Sequence, residues 1–204
     1  MSQRAYRLAM KKLAARDKRI AAALALCGAP PERRTEAGFA GLLRSIIAQQ
    51  VSSHAARAIW SRLADCCAPL TPESLLALDE ASIRAAGLSR SKVLYARGLA
   101  EACASGMLDF AALARMRDEE AIAALVRLKG IGRWTAEVYL LLALDRRDVF
   151  PADDLALQVA GGRLLGLRSR PTGSKLRGLA EDWAPWRGVM ARFLWHYYRH
   201  PGVA

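Results

Sequence analysis

Cysteine is scarce and poorly spaced for metal or disulfide work. Cys27, Cys66, Cys67 and Cys103 are the four in 204 residues, with no C-x-x-C pair, so no zinc or iron–sulfur framework is legible and reduced, partly buried thiols are expected. The three histidines, His54, His196 and His200, also lack ligand spacing and read as surface or packed residues. Long apolar runs are missing. IAAALALCGA near the start falls short of the roughly 18–20 residues that a bilayer span requires, and the N-terminus lacks the apolar core and cleavage pattern of a signal peptide. A cytoplasmic protein with no membrane partner is the expectation, nucleoid-associated if bacterial. Alternation of apolar and polar residues, low-complexity segments and internal repeats are all absent. The fold should therefore be all-α.

What is present is ordinary in bulk and unusual in charge. Hydrophobic residues at 53% and charged residues at 25% are typical of a globular chain and exclude disorder or a fibre. The length suits one domain, or two small lobes sharing a core. A net charge of +12 with a pI near 10.2 is the balance expected of a partner to a polyanion. Residues 1–35 hold nine basic and two acidic side chains, 36–125 hold nine and ten, and 126–204 hold thirteen and seven. Only six of the 31 basic residues are lysine, so coding bias toward arginine competes with selection for nucleic acid, and charge supports that reading without deciding it.

Helical periodicity dominates. Phe39, Leu42, Leu43, Ile46 and Ile47 recur at three- and four-residue spacings, as do Ala55, Ile59, Trp60 and Leu63, predicting helices over roughly 36–48 and 53–66. Thr71 before Pro72 is a helix start, and Asp79 and Asp118 are expected to cap two short helices. Gly87, Gly106, Gly130 and Gly132 supply stops and turns. About ten to twelve helices should account for the chain, the first of them over 3–27 and basic on one side. A basic helical segment, 1–35, is expected to pack on a core formed by 36–204, with a hairpin at about 121–144.

Leu128 to Asp154, LKGIGRWTAEVYLLLALDRRDVFPADD, is the informative stretch. Gly130 and Gly132 frame Ile131 between two helices, and the second helix starts near Arg133 with its first backbone N–H groups available to a phosphate oxygen. A Gly-x-Gly turn by itself is more often a plain helix connection.

The run Leu128-Lys129-Gly130-Ile131-Gly132-Arg133-Trp134-Thr135-Ala136, followed by Asp148-Val149-Phe150-Pro151-Ala152-Asp153-Asp154, resembles the helix-hairpin-helix DNA glycosylase superfamily, and within it the DNA-3-methyladenine glycosylase II branch. The similarity extends to Ile46-Ile47-Ala48-Gln49-Gln50-Val51-Ser52, to Gly87-Leu88-Ser89-x-x-Lys92, and to Trp183-Ala184-Pro185-Trp186-Arg187 with Trp195 beyond. Four motifs stand in the family's order over about residues 36–200.

The resemblance implies a two-lobed helical bundle with its active site in the cleft between the lobes. It makes Asp154 the catalytic carboxylate and Gln50 the side chain that intercalates when the damaged nucleotide of a duplex is flipped out. Backbone amides of Gly130, Gly132 and Thr135 would bind a DNA phosphate, and main-chain carbonyls of Val126, Leu128 and Ile131 would hold a structural Na+ or K+. Trp134, Trp195 and Tyr139 match the base pocket. No other cofactor is implied: the cysteines that bind an iron–sulfur cluster in some relatives are missing, because all four cysteines here precede residue 104. Relatives that also cut the backbone carry a Schiff-base lysine where Trp134 stands. A monomeric, monofunctional enzyme is therefore expected.

Chemistry agrees with that assignment. Breaking an N-glycosidic bond builds positive charge on the sugar, which a nearby carboxylate stabilises, and a helix N-terminus suits its negative charge. Cationic alkylated purines favour the faces of tryptophan. Asp153, by contrast, reads as a helix cap, Glu137 as an ion-pair partner of Arg133, and Trp183 and Trp186 as core, with Trp195 open between core and pocket. Arg168, Arg170, Lys175 and Arg177 read as a solvated loop. An aromatic residue stands in the family where Val138 is, and a tyrosine where His196 is, which leaves substrate breadth open. Excision of 3-methyladenine and 7-methylguanine is the leading expectation. Action on an oxidised or mismatched base, and a DNA-binding module without chemistry, are the alternatives.

Overall fold

A computed structural model describes residues 2–203. Thirteen α-helices follow one another in it: α1 Gln3–Arg16, α2 Lys18–Cys27, α3 Phe39–Ala48, α4 Ser53–Cys66, α5 Pro72–Ala77, α6 Glu80–Ala85, α7 Arg90–Ala104, α8 Phe110–Arg115, α9 Asp118–Val126, α10 Arg133–Leu142, α11 Leu155–Leu164, α12 Gly173–Leu179 and α13 Arg187–Tyr198. Two short 3-10 turns, Ala180–Trp183 and Pro201–Val203, complete the regular structure, and no strand occurs among the described residues. The all-α expectation holds. None of the helices is long and apolar enough to cross a membrane.

The expected single helix over 3–27 is two helices. Asp17 adopts an extended conformation (φ −141°, ψ 116°) and its carboxylate accepts the Arg19 N–H at 2.8 Å, so it ends α1 and caps α2. Asp118, expected to cap, does not. It is the first residue of α9, and the backbone N–H of Arg117 is received by Glu120 Oε2 at 3.1 Å. Thr71 and Asp79 do cap, accepting the Ser74 and Ser82 amides.

The chain divides into two compact units, one holding the residues up to Arg34 and from Asp145 onward, the other Thr35–Leu144. In the second, α3 is the central element. Its Leu42, Leu43, Ile46 and Ile47 are fully buried, and it packs against α4, α7 and α10. Each such side chain contributes roughly 1.5–3 kcal/mol of burial.

In the first unit α13 holds the corresponding place. Val189, Met190, Phe193 and Leu194 are buried, and α13 packs on α11, α1 and α2. Its start is fixed by Asp148, whose Oδ1 accepts the Arg187 N–H at 3.0 Å and whose Oδ2 accepts Arg187 Nη2 at 2.7 Å. That anchor sets where Trp195, two turns further on, emerges.

Candidate functional site

The turn Phe150–Asp154 delivers a carboxylate to the start of α11. Ala152 N donates to Phe150 O at 2.8 Å and Asp154 N to Pro151 O at 3.0 Å, which tightens the chain and leaves Asp154 as the N-cap, extended at φ −69°, ψ 123°. Asp154 Oδ1 accepts two hydrogen bonds, from Leu157 N at 3.0 Å and from the indole Nε1 of Trp195 at 3.1 Å. Asp154 is half-buried. The carboxylate is thus aimed by a helix N-terminus on one side and by an aromatic ring on the other.

Asp153 does not cap α11. Its exposed carboxylate reaches Arg177 Nη2 at 3.5 Å and stands against Gly173, where an added Cβ would lie 2.0 Å from Asp153 Oδ1. Trp183 is core as expected, edge-on to Phe150 at 5.6 Å. Trp186 is not: it is half-buried under Lys12 and Arg16, at 5.3 and 5.0 Å from its ring. His196 is held by a hydrogen bond to Cys27 O at 2.8 Å.

Arg33, which the sequence pattern did not single out, lies over the Trp195 ring at 5.9 Å. Burial holds its guanidinium pKa down, as does the charge of Arg199, while Asp154 opposes them. It sits in the loop between α2 and α3, where no periodicity marks any position.

In the other unit, α9 and α10 form the expected hairpin. Ile131 N donates to Leu128 O at 3.1 Å, closing the turn, and Ala136 N to Gly132 O at 3.0 Å, closing the first turn of α10. The amides of Gly132 to Thr135 precede that bond, the position from which a helix donates to an anion. Gly130 has φ +89°, and a Cβ there would lie 2.3 Å from the Tyr95 ring. Only glycine fits this turn. Val126 ends α9, so its carbonyl, with those of Leu128 and Ile131, offers neutral hard oxygens that suit a monovalent cation. Arg133 pairs with Glu137 at 2.9 Å, as expected, and with Glu119 at 2.6 Å.

Trp134 is 40% exposed in the first turn of α10. Tyr139 is 1% exposed; its hydroxyl oxygen accepts Gly38 N at 2.8 Å and its ring meets Phe110. It is a core residue and not a surface for a base. Gln50 is exposed and sits in the left-handed region at φ 55°. Lys92 and Gln49, named in motifs but given no role, turn out to hold this loop: Lys92 Nζ donates to Ile47 O and Gln49 O, both at 2.7 Å, and Gln49 Nε2 donates to Gly130 O at 3.0 Å and Thr135 Oγ1 at 3.3 Å.

Comparison with known proteins places these features in a family. Residues 43–185 match the sequence profile of the HhH-GPD superfamily of base excision DNA repair proteins. The chain is 37% identical over 158 residues to DNA-3-methyladenine glycosylase 1 of Schizosaccharomyces pombe, covering 76% of this chain and 69% of that one. Among solved structures, a Schizosaccharomyces pombe 3-methyladenine DNA glycosylase in complex with abasic DNA superposes with a TM-score of 0.83 at 34% identity, covering 92% of this chain and 94% of that one. A DNA-3-methyladenine glycosidase from Bacillus halodurans gives 0.85 at 32% identity, covering 94% and 89%.

Proposed function

The chain belongs to the HhH-GPD superfamily of base excision DNA repair proteins, and on that premise we propose that Asp154, Trp195, Gln50 and the α9–α10 hairpin are the working parts of an alkylbase DNA glycosylase. It hydrolyses the N-glycosidic bond of alkylated purines in duplex DNA and leaves an abasic site. The observation that carries the residue assignment is the bond between Trp195 Nε1 and Asp154 Oδ1, with a cation already resting over the same ring in the form of Arg33.

Each part has a physical role. Amides at Gly130, in the turn, and at Gly132 and Thr135, at the start of α10, take a backbone phosphate, where the α10 dipole and the absence of side-chain bulk at the glycines favour it. The target nucleotide leaves the stack, and Gln50 enters the space it vacates. An alkylated purine carries positive charge on its ring, so the Trp195 face attracts it more than an undamaged base; Trp134, exposed at the start of α10, is assigned as a second stacking face.

As the bond between the sugar C1′ and the base nitrogen lengthens, its electron pair leaves with the base, neutralising it. Positive charge then develops on the sugar, and the Asp154 carboxylate stabilises it while water adds at C1′ and loses a proton. The cationic base is already a good leaving group. No lysine stands at the hairpin position that Trp134 occupies, so no Schiff base forms there and the enzyme is monofunctional. Na+ or K+ on the Val126, Leu128 and Ile131 carbonyls would add positive charge beside the phosphate grip, and the chemistry of Asp154 calls on no further cofactor. We assign the site of action to the cytoplasmic compartment that holds the DNA.

The test is incubation of methylated duplex with wild type and Asp154→Asn. Wild type releases alkylated base, and the variant loses at least about 100-fold in rate. Equal release by both, or release by neither, would overturn the assignment.

A further inference from the structure

The contacts around Gln50 form a chain that runs from α7 through the end of α3 to the hairpin turn. Residues Ile47 and Gln49 lie at the C-terminal end of α3, where the last carbonyls have no intrahelical partner and carry the negative end of the helix dipole. The Lys92 ammonium, from the first turn of α7, sits on two of these oxygens at 2.7 Å each. Burial pulls its pKa down, so the lysine stays there against a desolvation cost that the two carbonyls offset. On the far side, the Gln49 amide grips Gly130 O and Thr135 Oγ1. Gln50 is the next residue, held in a left-handed conformation that costs a non-glycine residue free energy.

A cavity of about 550 Å³ opens at this junction, lined by Gln50, Lys92, Tyr95, Lys129 and Gly130 among others. It lies wholly within Thr35–Leu144.

Resting on the reading above that Gln50 is the intercalating residue, we propose that Lys92 and Gln49 are positioning residues for base extrusion. Lys92 fixes the end of α3, Gln49 ties that end to the hairpin turn, and together they present Gln50 as a preformed wedge whose position follows the phosphate grip. Neither touches the reacting atoms. Their contribution is to the flipping step, because a wedge already ordered does not have to be ordered while the base is leaving the stack.

The prediction separates flipping from chemistry and from binding. Lys92→Met keeps the aliphatic stem and removes the ammonium; Gln49→Met keeps the length and removes the amide. Each is measured in single turnover on two duplexes carrying one alkylated purine, one fully paired and one with the lesion opposite an abasic-site analogue, where extrusion costs little. A 2-aminopurine beside the lesion reports unstacking. Expected are a loss of about tenfold on the paired duplex, a loss under about twofold on the unpaired one, and a reduced 2-aminopurine signal at saturating enzyme. Affinity for undamaged duplex should stay near that of wild type.

Equal losses on both duplexes, or none on either, would overturn the proposal, and Lys92→Arg recovering the paired-duplex rate would support it. Should Lys92→Met melt well below wild type, Gln49→Met carries the test alone. Wild type that excises nothing from either duplex would instead refute the glycosylase reading itself.

Discussion

Trp195 and Asp154 are joined through one oxygen. The indole Nε1 donates to Asp154 Oδ1 at 3.1 Å, and Leu157 N donates to the same atom at 3.0 Å. The edge of the ring aims the carboxylate, and on the proposed reading its face takes the base. Trp195→Phe retains most of the face and removes the N–H. Single-turnover excision should slow by about ten- to 100-fold, the value of one hydrogen bond to a charged acceptor, with the Kd for damaged duplex changing less than about twofold. An unchanged rate would show that the Leu157 N–H aims Asp154 unaided.

Asp154 is both a cap and the assigned catalytic group, and two substitutions divide these roles. Asparagine caps a helix as well as aspartate does and can still accept from Leu157 and Trp195. Alanine can do neither. Asp154→Asn should melt close to wild type while losing excision, and Asp154→Ala should lose about 1–2 kcal/mol in addition, or about 3–6 °C in Tm for a chain of this size. Equal melting temperatures in the two variants would mean that the cap contributes nothing.

Much of this arrangement was legible in the sequence because it depends on period and spacing. α3 and α4 fall at Phe39–Ala48 and Ser53–Cys66 because Leu42, Leu43, Ile46 and Ile47 share one helical face. The hairpin turns where Gly130 alone permits a positive φ against Tyr95. What was not legible rests on local polar competition or on tertiary packing. Asp17 breaks the N-terminal segment by capping from within an otherwise unbroken helical pattern. Family resemblance sets Tyr139 beside the pocket, yet its side chain faces Gly38 and Phe110. Arg33 lies in an aperiodic loop, and only the folded chain brings it to Trp195.

Two glycines allow a controlled comparison of backbone strain. At Gly130 a side chain would need φ +89° and would meet the Tyr95 ring at 2.3 Å, whereas at Gly178 in α12 nothing lies within 4 Å. Gly130→Ala should destabilise by about 2 kcal/mol or more, combining left-handed strain with the clash. Gly178→Ala should stabilise by up to about 1 kcal/mol, since alanine loses less backbone entropy in a helix. Urea titration of the two variants beside wild type checks both signs. Because the strained turn also orients the amides proposed to take a phosphate, Gly130→Ala should in addition weaken duplex binding and flatten its dependence on salt.

Tyr139 gives stability an alkaline limit. Burial pushes its pKa up to about 12, against the lowering effect of the Gly38 N–H and with a small upward contribution from Cys103. The folded state therefore keeps the phenol proton at a pH where the unfolded chain, titrating near 10, has lost it. Stability from this group is complete below about pH 10 and is lost as pH rises through the folded value, on the order of 2 kcal/mol across that window. Tyr6, buried and shifted in the same direction, adds a slope of the same sign. Tyr139→Phe should cost about 1 kcal/mol near neutrality, where Gly38 N loses its acceptor, and should fall less steeply than wild type between about pH 10 and 12. Denaturant midpoints measured across that range for both proteins test the sign, and parallel curves would show that the phenol ionises as readily folded as unfolded.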